Sequence, residues 1–232
     1  MLRAFLFDCD GVLADTESLH YRSLSEALRA EGVPLTLPDY AGVVGLTDRE
    51  SVESCFRKAG REPDPDRVEA VTAAKADLYA RSLEAGVPPV PGAADFVRRA
   101  AETYVLGVAS GSRRSEVLRV LEGLAIADRF RAVVAAEDCP TSKPDPGPYL
   151  AALAALNASV PAPDPPLEAR DCLVFEDSEL GVRAARAAGM RCIALTTTLS
   201  GDQLRDADLV AQNFRALDLR RVTAFFDRRS RG

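Results

Sequence analysis

Five short apolar runs, at residues 2–7, 104–109, 132–136, 172–175 and 192–196, limit the architectures open to this chain. Each lacks polar alternation and is too short for a helix, the pattern of a strand buried on both faces. Between them lie stretches with apolar or alanine-rich faces at helical spacing, at residues 92–102, 113–124, 146–157 and 178–188, several of them starting near Pro or Ser. Strand, helix, strand repeated in this way predicts right-handed crossovers and a doubly wound parallel α/β sheet. The rhythm breaks once. After the first run, residues 17–31, 48–60 and 66–85 show helical periodicity, and a Pro-rich stretch at 87–91 brings the chain back. An α-helical insert over residues 16–88 is therefore expected above a core formed by residues 1–15 and 89–232. Residues 157–166, with four prolines, read as a surface loop.

Composition removes several classes of function. With 47% apolar residues the chain can bury a core, and its net charge of −6 argues against a nucleic-acid or anionic-membrane surface, either of which needs a basic field. Its five cysteines, at 9, 55, 139, 172 and 192, are odd in number and form no CxxC pair, which fits a reducing cytosol better than a disulfide framework. No 20-residue apolar span is present, so neither a transmembrane helix nor a secretory signal is expected, and the expected location is cytoplasmic. His20 is the only histidine, which excludes a His-rich zinc site. There is no GxGxxG and no glycine followed by lysine, so both common glycine-rich nucleotide cradles are missing.

Polar residues crowd the carboxyl ends of the expected strands: Asp8 and Asp10 after the first, Ser110 and Ser112 after the second, Glu176 and Asp177 after the fourth. Open α/β sheets bind ligands in the crevice outside those ends. Acidic residues and serines also cap strand-to-helix turns, but several carboxylates meeting in one crevice repel each other unless a cation neutralises them. Oxygen donors of this kind select Mg2+ over zinc or copper. Strand alternation turns Cys9 away from its neighbouring aspartates and into the core.

These residues resemble the motifs of the haloacid dehalogenase superfamily, most of whose members are phosphatases and phosphomutases. Residues 7–13 (FDCDGVL) are similar to its DxDGV signature, 108–112 (VASGS) to its second motif, 142–146 (SKPDP) to its third and 175–181 (FEDSELG) to its fourth. The resemblance implies a Rossmann-like core with an inserted α-helical cap. It also implies Asp8 as the nucleophile that forms an aspartyl-phosphate, and Asp10 as the general acid and base. Mg2+ is then held by Asp8, the Asp10 carbonyl, Asp177 and Glu176, the last acting through water, while Ser110 and Lys143 stabilise the transferring phosphoryl group. Dehalogenases do not use the second aspartate or the Mg2+ site, so Asp10, Glu176 and Asp177 point to phosphoryl chemistry.

A helical cap after the first motif marks the branch of β-phosphoglucomutase, phosphoglycolate phosphatase and sugar phosphatases. Residues 15–20 (DTESLH) resemble the hinge of that mutase, which implies that Thr16 and His20 orient Asp10. Residues 45–50 (GLTDRE) resemble its cap loop, so Gly45 is expected at the site and Arg49 is expected to clamp a second anion. Lys75, Gly111, Ser112 and Arg113 complete the expected substrate-binding set. The leading expectation is a Mg2+-dependent phosphatase for a small phosphorylated metabolite, a sugar phosphate, with a β-phosphoglucomutase-like hexose-phosphate mutase as the alternative. A receiver-like signalling module and a non-catalytic binding protein are the readings from other classes. A monomer or weak dimer with no nucleic-acid or membrane partner is expected.

Overall fold

The computed structural model describes residues 1–229. The chain runs β1 (Ala4–Phe7), then α1 (Glu17–Ala30), α2 (Leu37–Ala41), α3 (Asp48–Lys58) and α4 (Pro65–Glu84) before the next strand. There follow α5 (Ala93–Ala100), β2 (Val105–Ala109), α6 (Arg114–Gly123), β3 (Ala132–Val134), α7 (Gly147–Asn157) and β4 (Cys172–Glu176). It closes with α8 (Glu179–Ala187), β5 (Arg191–Leu195), β6 (Leu209–Ala211) and α9 (Leu219–Arg229). Among the described residues the sheet order is β3-β2-β1-β4-β5-β6, with every neighbouring pair parallel. Winding goes outward from β1 to one edge and then from β4 to the other, which leaves the topological switch point between β1 and β4.

Both faces of the central strands are covered. Phe5 and Phe7 enter one core, where Phe7 stacks on Phe175 at 4.8 Å between ring centroids and Phe96 and Phe214 close the cluster. Ala4 and Leu6 enter the other, beneath α7 and α8. This two-sided burial explains why the strand sequences read as unbroken apolar runs. The register pairs Phe7 with Phe175, so the residues that follow, Asp8 and Glu176, leave the sheet side by side. β6 lies at an edge with only partial burial, and the apolar-run criterion does not find it.

Helices α1 to α4 form the cap. Leu24, Leu28, Val52, Phe56, Val68 and Val71 give it an apolar core of its own. The chain enters and leaves the cap through two adjacent segments, with the Asp15 amide donating to the Pro88 carbonyl at 2.8 Å and Val90 to Leu13 at 3.1 Å. A capping box, in which Thr47 and Glu50 bond each other's backbone, starts α3, and Asp64 with Pro65 at the first turn starts α4. The last turns of α4 reach down to the sheet, where Tyr79 and Leu83 join the core that holds Phe5 and Phe7. The proline-rich loop after α7 is pinned at its ends, since the Asn157 side chain bonds the Leu167 backbone at 2.8 and 3.0 Å.

Candidate active site

A cleft of about 580 Å³, part of it open solvent, lies between the strand ends and the cap. Asp8, Asp10, Ser110, Gly111, Ser112, Lys143 and Asp177 line its floor, and His20, Gly45 and Lys75 are among the residues of its cap wall. The parallel sheet creates this convergence, because residues just past the ends of β1, β2 and β4 emerge on the same side.

Lys143 is the electrostatic centre of the floor. Its ammonium stands 2.6 Å from Glu176 Oε1 and 3.0 Å from Asp8 Oδ1, and its side chain is only 3% exposed. Burial opposes its charge, but the two carboxylates outweigh burial and hold it protonated. Glu176 also accepts from Tyr149 Oη at 2.5 Å, while its second oxygen accepts from the Asp177 and Ser178 amides and the Ser178 hydroxyl. Against the cost of burial, Lys143 and these donors keep the Glu176 carboxyl below its ordinary range. Protein donors thus engage both of its oxygens.

Asp8 and Asp177 are the strained members of the group. Burial pushes the Asp8 carboxyl up to about 7 in spite of Lys143, and Oδ1 receives no aligned hydrogen bond. Burial, followed by the charges of Glu17, Glu176 and Asp8, pushes Asp177 well above its ordinary value, with the Thr198 hydroxyl donating to its Oδ2. One oxygen from each of Asp8, Glu176 and Asp177 lies within 4.8 Å of the others. An all-oxygen set with one buried atom lacking an aligned hydrogen bond, and two carboxyls raised first by burial and then by neighbouring carboxylates, suits a hard divalent cation. Gly11 makes room for Asp177. At φ +71° it has a left-handed backbone, and a Cβ there would overlap the Asp177 carboxylate.

Asp10 is held differently. Thr16 Oγ1 donates to its Oδ1 at 2.6 Å, Tyr79 Oη at 3.0 Å, and His20 Nε2 lies 2.9 Å away, while Ser112 Oγ donates to Oδ2 at 2.6 Å. Burial alone would raise this carboxyl, but the His20 ring and these donors hold it well below the usual range. Thr16 occupies the N-cap position of α1, yet its hydroxyl makes no helix-capping bond and serves Asp10 instead. On the other side of the imidazole, Lys75 Nζ lies 2.8 Å from Nδ1 and 2.7 Å from Asp48. An ammonium can only donate, so the contact places the ring proton on Nε2, facing Asp10. Burial and Lys75 lower the basicity of the ring, but Asp10 and Glu17 turn the net direction upward.

Two expected site residues lie elsewhere. Arg49 does not line the cleft: its half-exposed guanidinium pairs with Glu53 at 3.2 Å and Glu69 at 3.6 Å. The Thr47–Glu50 capping box sets the phase of α3 so that Asp48, not Arg49, faces Lys75. Arg113 sits at the start of α6 outside the cleft lining, its amide donating to Glu116. Sequence reasoning missed Tyr79, Tyr149, Glu17, Tyr40 and Thr198. Of these, Tyr79 had a signal, since it lies one helical turn from Lys75.

Comparison with known proteins identifies the family, because the sequence profile of the haloacid dehalogenase-like hydrolases matches residues 5–195. This chain belongs to that family. Among curated proteins, it is 30% identical to the protein CbbY of Rhodobacter capsulatus, covering 94% of both chains. It is 29% identical to β-phosphoglucomutase of Bacillus subtilis, covering 94% of this chain and 92% of that protein. The crystal structure of β-phosphoglucomutase from Clostridium difficile superposes with a TM-score of 0.90 over all of both chains at 21% identity, and so shares the fold of this hydrolase, cap included.

Proposed function

We propose that this enzyme is a Mg2+-dependent phosphatase for a small phosphorylated metabolite, a sugar phosphate, and that it works through an aspartyl-phosphate on Asp8. The observation that carries the reading is the pairing of two unlike carboxylates in one cleft. Asp8 is buried beside Lys143, and Asp10, two residues on, is held by Thr16, His20, Tyr79 and Ser112.

In this mechanism an Asp8 oxygen attacks phosphorus while the bond to the ester oxygen breaks. The departing oxygen takes its proton from Asp10 in its carboxylic-acid form, and the Asp10 carboxylate so formed then removes a proton from the water that releases phosphate. Lys143 balances the charge on Asp8 and on the phosphoryl oxygens, and Ser110, buried at the floor, donates to them. Mg2+ would be held by Asp8, Asp177 and the Asp10 carbonyl, where it supplies charge neutralisation for the phosphoryl oxygens. Glu176 supports the site through Lys143 and Ser178.

The relative named as β-phosphoglucomutase supports phosphate-ester chemistry. A mutase has to hold a second phosphate, and the outward pairing of Arg49 favours the phosphatase. Phosphorus NMR of the protein with Mg2+ and β-glucose 1-phosphate, seeded with a trace of the 1,6-bisphosphate, separates the two. Inorganic phosphate supports the phosphatase. Glucose 6-phosphate without inorganic phosphate would establish the mutase.

A further inference from the structure

The cap wall determines what can follow the transferring phosphate, and its charge inventory is one-sided. Lys143, Lys75 and His20 are the basic side chains among the described residues that line the cleft. Lys143 belongs to the floor, where Asp8 and Glu176 hold it. Lys75 is 1% exposed and is fixed by Asp48 at 2.7 Å and by His20 at 2.8 Å, so its charge is already matched. The wall also carries Glu17, whose Oε2 accepts from Tyr40 Oη at 2.5 Å and which has no cation among its hydrogen-bond partners. Leu24, Val43 and Leu46 supply apolar surface beside these acceptors.

From this arrangement, and on the reading of the site as a phosphatase, we infer that the cap selects phosphate monoesters whose far end is an uncharged polyol and rejects a second phosphate or carboxylate. Hydroxyl groups can donate to Glu17 and Asp48, and a carbon skeleton can lie on the apolar residues. A second anion would meet these carboxylates in a partly desolvated cleft with no unmatched cation to receive it, and like-charge juxtaposition of this kind is how binding sites exclude a competitor. Glu17 and Asp48 are therefore the specificity-determining residues, and Arg49 has no part in recognition.

Binding to the Asp8→Asn protein in Mg2+ tests this without chemistry. Calorimetry with fructose 6-phosphate and fructose 1,6-bisphosphate should give a Kd about tenfold lower for the monophosphate. Glu17→Gln or Asp48→Asn, each added to Asp8→Asn, should narrow that ratio by tightening the bisphosphate, and Arg49→Ala should leave it unchanged. Bisphosphate binding as tight as or tighter than the monophosphate would overturn the inference, as would binding of neither ester. The phosphatase reading fails separately, if the native protein releases no phosphate from any ester while the binding preference persists.

Discussion

The Lys143 ammonium sits 2.6 Å from the Glu176 carboxylate, and neither side chain is more than 3% exposed. Such a pair is costly to desolvate but still more costly to break, because the surviving charge has no water to turn to. Replacing Lys143 by Met leaves Glu176 and Asp8 uncompensated. The expected loss is about 3–5 kcal/mol of stability together with all turnover, read by urea unfolding and phosphate release. The double variant Lys143→Met, Glu176→Gln should recover part of the stability and none of the activity.

Gly11 and Asp177 make a second coupled pair. An alanine at 11 must adopt a left-handed backbone, at a cost of about 1–2 kcal/mol, and its Cβ would displace the Asp177 carboxylate. Gly11→Ala is expected to raise the Mg2+ concentration for half-maximal activity by at least about tenfold, as disturbed ligand support does elsewhere. A metal titration of phosphate release checks this.

His20 acts on Asp10 from 2.9 Å, so His20→Gln should lower kcat by about 10- to 100-fold with little change in KM. Without the imidazole, the Asp10 carboxyl rises toward its ordinary value of 3.8, which moves the acid limb of the kcat profile to higher pH. An unchanged acid limb would place the base elsewhere.

Asp8 sets a pH signature for the metal-free protein. Its folded value, about 7, lies above its ordinary 3.8, so the folded state holds more protons between these limits and loses stability as pH rises through that window. Asp10 and Glu176 are shifted downward, and their contribution is lost only as pH falls below their ordinary values of 3.8 and 4.5. Thermal unfolding in a chelator should therefore show Tm falling from about pH 5 to about pH 7. Mg2+ binds the ionised carboxylates, so the Tm difference between Mg2+ and chelator should widen over the same range.

Local signals carried most of the fold. Strands buried on both faces announce themselves as apolar runs, which is why β1 to β5 were legible while the short, half-covered edge strand β6 was not. The helical insert was legible from periodicity, but α2, a single turn and a half capped by Thr36, is too short for a periodic pattern. At the site, the residues next to strand ends could be read because the sheet forces them together. Tyr149 and Tyr40 could not, since they reach Glu176 and Glu17 from 27 and 23 residues away through packing alone. Arg49 shows the limit of a local motif: the phase of α3 brings Asp48 to Lys75 and turns the arginine outward.

The central claim is a covalent phosphoryl group on Asp8. Rapid quenching of the enzyme with Mg2+ and a sugar phosphate during turnover, followed by borohydride reduction and peptide mapping, should find homoserine at position 8 and nowhere else. Phosphate release with no modified aspartate, or with the modification at Asp10 or Asp177, would contradict the account.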